Sequence, residues 1–296
     1  MIAVGTPWGD LDRPPLREDA LRAALLAPPG PFARLDVAPR TGSTNADLLA
    51  AAAADPAGYP DLSVLATDHQ VAGRGRLARS WQAPERSSIA VSVLLRPDVP
   101  ARRWSWLPLL AGTAVAAAVH RVAGVRAGVK WPNDVLVEVP DAGPDDVPDA
   151  GPDDVRKVAG ILAEAVPGQG ALVVGIGLNV TQTRAELPVP TATSLRLAGS
   201  ATTDRDTVLR AVLRAVADRY ARWVAADGDV TASGLAAEVR ESCWTLGRAV
   251  RVVLPAGEVV GTAEELDDDG RLVVRDAAGE RHALSAGDVV HAGVGT

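Results

Sequence analysis

Two rhythms of apolar residues divide the chain. Up to about Ser242, apolar runs of strand length alternate with longer Ala/Leu/Val-rich stretches whose apolar positions recur at helical spacing. Phe32–Val37, Leu62–Thr67, Ser88–Leu95, Lys157–Ala165 and Ala171–Val180 read as strands, and Gly128–Val137 as a turn leading into another. Arg17–Ala27, Ala46–Ala54, Trp104–Val122, Asp206–Ala225 and Ala232–Ser242 read as helices. Hydroxyl and amide side chains at Ser43-Thr44-Asn45 precede the Ala46 run, a helix N-cap signal. From Leu246 the helical period disappears. Val250–Leu254, Val259–Leu266, Arg271–Arg275, His282–Leu284 and Val289–His291 are short strands separated by Gly- and Asp-rich turns. Strands this short and this closely spaced suggest a small barrel. The expected class is α+β, with an all-β C-terminal unit.

The pattern divides the chain into three regions. Residues 1–30 are rich in Pro, Ala and Gly and read as a poorly anchored leader. Residues 31–244 form the main body, and residues 245–296 the C-terminal unit. Inside the body, residues 140–147 and 148–155 repeat one octapeptide, Pro-Asp-Ala-Gly-Pro-Asp-Asp-Val. The repeat has too little apolar surface to offset its ordering entropy, so 139–156 reads as a disordered insertion in a turn.

Composition narrows the function. The net charge of -7 argues against nucleic acid or an anionic membrane as partner, since both recruit basic surface. The apolar run Leu107–Val119 is too short to span a bilayer, which takes about 20 residues. Cys243 is the sole cysteine, so no intramolecular disulfide and no multi-cysteine zinc site exists, and it reads as a small apolar residue. With no signal-peptide pattern, the chain reads as cytoplasmic. Lys130 and Lys157 are the only lysines among the 30 Lys and Arg residues. Where arginine serves as the generic surface cation, a retained lysine points to a need for a compact ammonium.

Four clusters carry candidate chemistry. Gly73-Arg74-Gly75-Arg76-Leu77-Ala78-Arg79 alternates pliant backbone with guanidinium forks, a pattern suited to an anion but equally to a solvated turn. Lys130-Trp131-Pro132-Asn133-Asp134 puts a carboxylate at the head of an apolar strand, where it must be paired, bind a metal or face solvent. Lys157-Val158-Ala159-Gly160 heads another apolar strand with a lysine, and Gly160 leaves room for a close approach. Gly175-Ile176-Gly177-Leu178-Asn179 opens a gap on one face of a strand. It is no dinucleotide fingerprint, because no helix start comes after it.

In this order, together with Gly42-Ser43-Thr44-Asn45, Gln70 to Arg79 followed by Trp81, Lys157 to Glu164, and the small barrel, the motifs resemble the biotin–protein ligase family. The likeness covers roughly residues 35–296. It implies a mixed β-sheet flanked by helices and a C-terminal SH3-like domain. It implies that biotin and ATP are substrates, that Mg2+ assists, and that biotinyl-5′-adenylate forms before a lysine of a biotin carboxyl carrier domain is acylated. By that likeness Ser43, Thr44, Asn45 and Gln70 contact biotin. Gly73, Arg74, Gly75, Arg76, Arg79 and Trp81 belong to the adenylate loop, and Lys157 contacts carboxylate and α-phosphate. Arg76, Lys157 and Asp134 are the expected catalytic residues, with Asp134 also the metal ligand. Asn179 stands near phosphate, and Gly160 and Gly175 let the ligand lie against the sheet. Ala78 departs from the family's loop, which often has glycine there. No N-terminal DNA-binding domain is recognised, so operator binding is not expected, and homodimerisation is left open. The nearest rival is a lipoate or octanoate ligase, which shares the body. A more distant one is a non-catalytic RNA-binding module, disfavoured by acidity and the lack of an aromatic strip.

Overall fold

The structure is a computed structural model that describes residues 13–140, 155–255 and 257–291. The body is built on seven strands: β1 (Arg34–Ala38), β2 (Ser63–Thr67), β5 (Ser88–Leu95), β6 (Ala127–Lys130), β7 (Asp134–Glu138), β8 (Val155–Val166) and β9 (Ala171–Asn179). Their order across the sheet is β1-β2-β5-β9-β8-β7-β6. The β1–β2 pair is parallel and the others are antiparallel, so the sheet is mixed. A two-stranded ribbon, β3 (Gly73–Arg74) with β4 (Ser80–Trp81), stands apart from it.

Side-chain alternation assigns the two faces. Along β5, Ile89, Val91, Val93 and Leu95 enter the main core, which also takes side chains from α1 (Glu18–Leu25), α3 (Leu107–Ala123), α4 (Arg205–Ala225) and α5 (Leu235–Ser242). Leu94 turns the other way and packs with Leu48 and Ala52 of α2 (Thr44–Ala54). Both faces are covered, which is why β5 reads as an unbroken apolar run. α3 is buried on nearly every side and ends at Gly124, whose φ of 70° supplies the left-handed residue that stops a helix. With its 3-10 lead-in it forms Ala101–Ala123, long and apolar enough to cross a membrane, but 72% of its most apolar window is buried, as in a core helix.

The C-terminal unit is an antiparallel sheet of β10 (Ala249–Leu254), β11 (Gly257–Leu266), β12 (Leu272–Arg275), β13 (Arg281–Leu284) and β14 (Asp288–His291), ordered β13-β12-β11-β10-β14. Tryptophans fasten it to the body. The Trp106 indole donates to Asp268 O and the Trp131 indole to Gly270 O, while the Trp131 backbone N–H donates to Thr245 Oγ1. Cys243 is buried, and burial pushes its thiol up, as befits an inert packing residue.

Two expectations need correction. Residues 13–30 are not a loose leader: Leu16, Leu21 and Leu25 enter the core, and Arg13 pairs with Glu186 at 2.7 Å. The helix expected over Arg17–Ala27 is present, and the buried leucines on one side of it anchor the segment. Of the proposed insertion 139–156, residues 141–154 lie outside the described residues. Val155 and Arg156 already belong to β8, where Arg156 is buried and donates to Pro190 O.

Asp68 ties the N-terminal segment to the end of β2. It accepts the Leu16 N–H at 3.1 Å and a guanidinium proton of Arg205 at 2.7 Å, in an ion pair whose side chains are only 4% and 7% exposed. Removing one partner leaves the other buried and charged, so Asp68→Ala is expected to cost about 3–5 kcal/mol in denaturant unfolding. A pH effect comes from His291. Burial, and then Lys130 and Arg248, push its pKa from 6.5 to about 4. The folded chain therefore takes up this proton later than the unfolded chain. Stability from His291 is intact above pH 6.5 and declines as the pH falls towards 4. Unfolding midpoints measured across that range are expected to slope less in His291→Gln.

Candidate functional site

The sheet face that carries α2 also floors a cleft of about 450 Å³. Its lining includes Ser43, Thr44, Asn45, Gln70, Arg74, Gly75, Arg76, Arg79, Trp81, Asp134, Lys157, Gly160 and Gly175, residues from well-separated stretches of chain. The volume suits a small-molecule ligand.

One end is a neutral polar network. Ser43 is the N-cap of α2 and accepts the Ala46 N–H, which sets Thr44 and Asn45 on the helix's first turn. The backbone N–H and the hydroxyl of Thr44 both donate to Gln70 Oε1, at 2.9 and 3.1 Å. Ser92 on β5 lies 2.8 Å from the Thr44 hydroxyl and 2.6 Å from Asn45 Oδ1. Asn45 Nδ2 donates to Leu162 O and, at 2.8 Å, to Glu164, which also pairs with Arg74 at 2.9 Å.

The rest of the cleft is charged. Lys157 Nζ sits 2.6 Å from Asp134 and 5.9 Å from the centre of the Trp81 ring. Arg76 donates to Asn133 Oδ1 at 3.1 Å. The C-terminal unit completes the wall: Val253, Gly287, Asp288, Val289 and Val290 line it, and Arg79 pairs with Asp288. The cleft can therefore bind one uncharged polar group at one end and hold anions along the remainder.

Residues 37–181 match the biotin/lipoate A/B protein ligase family, and residues 245–292 match the biotin protein ligase C terminal domain. A biotin–[acetyl-CoA-carboxylase] ligase of Mycobacterium tuberculosis is 44% identical over 286 residues, covering 94% of this chain and 97% of its own. The chain belongs to the biotin protein ligase family. A relative of the same description from Paracoccus denitrificans is 33% identical, over 86% of this chain and 99% of its own. The fold is also that of a biotin protein ligase from Aquifex aeolicus solved with biotin and ATP. That structure has a TM-score of 0.68 and 24% identity, and the match covers 88% of this chain and all of the other.

Within this member of the family, two expected site residues do not line the cleft. Asn179 does not line the cleft: it is buried, with Nδ2 donating to Thr193 O and Oδ1 accepting from Gln182. Its amide is spent on holding the 179–193 connection, so it is a scaffold residue. Gly73 is likewise beneath the lining. A Cβ there would stand 2.3 Å from Gln70 Nε2 and from Trp81 O, so the glycine permits the β3–β4 ribbon to close on Gln70. Gly160 and Gly175 do line the cleft, and the floor glycines also make room for protein. A Cβ at Gly175 would lie 2.2 Å from Asn45 Oδ1, and one at Gly177 2.5 Å from the Trp81 ring. Trp81 thus rests directly on β8 and β9, its indole N–H buried without an acceptor among the described residues.

Other residues of the site were not singled out from sequence. Ser92 carried a signal, as a hydroxyl in an otherwise apolar strand. Glu164 and Asn133 lay inside the motifs without a role, and Lys130 was marked only as a retained lysine. Asp288 carried none, because its relevance arises only from docking of a distant unit.

The expectation about Ala78 acquires a physical basis. Leu77 and Ala78 both have positive φ, 54° and 59°, where a Cβ crowds the backbone. Ala78→Gly is expected to raise stability by about 1 kcal/mol, the steric cost relieved less the entropy added. Matched denaturation curves test this; a loss of stability would mean that the turn is not left-handed in solution.

Proposed function

We propose that the chain is an ATP-dependent biotin–protein ligase that forms biotinyl-5′-adenylate and transfers biotin to a lysine of a biotin carboxyl carrier domain. The observation that carries this reading is the juxtaposition, in one cleft, of the neutral Thr44–Gln70–Ser92–Asn45 network with Lys157 and three loop arginines. A ureido ring asks for donors and acceptors without charge, and the adjoining cations suit a carboxylate and a phosphate. Body residues 31–244 then form the catalytic unit, and 245–296 the C-terminal unit that closes its wall.

In the first step a biotin carboxylate oxygen attacks the α-phosphorus, pyrophosphate leaves, and an acyl–phosphate anhydride results. The two reactants are anions and repel. Lys157, between the polar network and Asp134, holds both, and Arg74 and Arg76 offset charge from the loop side. Fixing the two in line contributes about 7–11 kcal/mol relative to free encounter. In the second step a carrier lysine attacks the acyl carbon and AMP leaves. The β3–β4 ribbon lies over the floor and keeps water from the anhydride until then.

The reading also calls for magnesium. That ion keeps several waters and takes one or two carboxylates together with substrate phosphates. Asp134, on the floor beside Lys157, fits that modest demand and would hold the ion against the nucleotide, where it neutralises phosphate charge. The acidic balance of the chain supports action on a protein carrier rather than on nucleic acid, and the cytoplasm is the compartment where ATP and carrier meet.

Incubation with biotin, MgATP and a carrier domain, read by intact mass, is expected to add one biotin per carrier. Lipoate in place of biotin is expected to add nothing; lipoylation without biotinylation would overturn the assignment. Lys157→Ala is expected to lower biotin-dependent pyrophosphate exchange by at least about 10²–10³-fold, as loss of a charge-stabilising donor does.

A further inference from the structure

The neutral network at one end of the cleft has a direction, and Glu164 sets one end of it. Asn45 Nδ2 donates to Leu162 O at 3.1 Å and to Glu164 Oε2 at 2.8 Å. Both partners are acceptors, so only the NH2 side of the Asn45 amide can face them. Asn45 Oδ1 is thereby turned the other way, where it accepts the Ser92 hydroxyl at 2.6 Å and lies against Gly175. The opposite end of the network is set by backbone. The Thr44 N–H can only donate, so it takes Gln70 Oε1 at 2.9 Å and leaves Gln70 Nε2 on the far side of that amide.

Two hydrogen-bonding positions then remain for a ligand. Asn45 Oδ1 keeps one of its two lone pairs, and Gln70 Nε2 has no acceptor among the described residues. Asn45, Gln70 and Gly175 line the cleft, whereas Ser92 is fully buried beneath it. One position accepts and the other donates, which a cyclic urea matches with an N–H and its carbonyl.

Glu164 acts on this pattern from outside the lining. It stands two residues beyond Leu162 on β8 and so shares the cleft face, yet it is not among the residues that line the cleft. Val173, opposite it on β9, packs with Leu48 and Ala52 of α2. A carboxylate beside such an apolar cluster needs partners, and Glu164 Oε2 has Asn45 and Arg74, at 2.8 and 2.9 Å. Without Glu164, Leu162 O engages one Nδ2 proton and leaves the other to find an acceptor, which frees the amide to turn a donor towards the cleft. We infer that Glu164 is a positioning residue for biotin: by holding Asn45 Nδ2 it keeps Asn45 Oδ1 aimed at a ureido N–H. The inference rests on the ligase reading and deepens it, since it says what makes this end of the cleft select a urea over an acyl chain without one.

The test compares wild type, Glu164→Met, Glu164→Ala and Glu164→Gln by calorimetry with biotin and with each biotin methylated at a single ureido nitrogen. Glutamine keeps an acceptor for Asn45 but loses the charge that holds Arg74, and methionine and alanine keep neither. Glu164→Met and Glu164→Ala are expected to raise the Kd for biotin about tenfold, the loss of one well-aimed hydrogen bond. The Kd for one methylated isomer, which lacks the N–H in question, is expected to move by less than about twofold, so that discrimination between it and biotin falls. Glu164→Gln is expected to stay within about threefold of wild type for both ligands. In an Asn45→Ala background, Glu164→Met is expected to change biotin Kd by less than about twofold, because the residue through which it acts is gone. An unmoved biotin Kd in Glu164→Met and Glu164→Ala would overturn the inference. So would a loss in Glu164→Gln as large as in Glu164→Met, which assigns the effect to Arg74, or a full effect in the Asn45→Ala background. A lowered Tm with discrimination between methylated and unmethylated biotin unchanged would leave Glu164 a structural role only. Each of these leaves the ligase reading intact; wild type without biotin binding would overturn the ligase reading itself.

Discussion

Repulsion among like charges is the constraint around which the cleft is arranged. Five cationic side chains, Arg74, Arg76, Arg79, Lys130 and Lys157, line one groove. Near a protein surface, two unit charges 4 Å apart interact by about 4 kcal/mol, so such a set cannot gather without anions among it. Three carboxylates answer: Glu164 from β8, Asp134 from β7 and Asp288 from β14. They arrive from separate parts of the chain, so the groove exists only when the sheet, the ribbon and the C-terminal unit have come together. On the ligase reading, phosphates reaching the groove compete with carboxylates already in place. Binding is an exchange of anions, and its free energy is the difference between two pairings rather than the full attraction of either.

That arrangement gives the C-terminal unit a share in the chemistry. Asp288 holds Arg79, and the edge of β14 forms wall. The unit is itself seated by Trp131, which belongs to the turn between Lys130 and Asp134. One short turn therefore places two charged groups on the floor of the cleft and docks the unit that closes its side. A change that loosens Trp131 alters the charge balance of the groove.

Much of this was legible in the sequence, for physical reasons that differ by element. β5 was read to the residue because both its faces are buried and its apolar run has sharp ends. α2 was placed by its N-cap chemistry, and the cleft's membership came from motifs that the fold does bring together. The β3–β4 ribbon was not legible: four residues of pairing across a charged turn leave no apolar period. α1 was undervalued because its surroundings are Pro- and Ala-rich, while its anchoring comes from Leu21 and Leu25 reaching a distant core. Asn179 was misread for the opposite reason. A polar residue ending an apolar strand points to a ligand in sequence, but Thr193 and Gln182, brought in by the fold, satisfy its amide first. Local pattern reports which groups need partners; only the tertiary structure decides which partners they find.

In the ribbon, several such partners are held by one piece of backbone. β3 and β4 carry Arg74 and Trp81, with Arg76 and Arg79 in the turn between them. Trp81 covers the floor at Gly160 and Gly177, Arg74 is held by Glu164 on the sheet, and Arg79 by Asp288 on the other unit. Because the segment is short and hydrogen-bonded across its two strands, these contacts do not break independently. Lifting the indole from the glycines strains both ion pairs. The left-handed turn at Leu77 and Ala78 narrows the conformations through which the ribbon can pass.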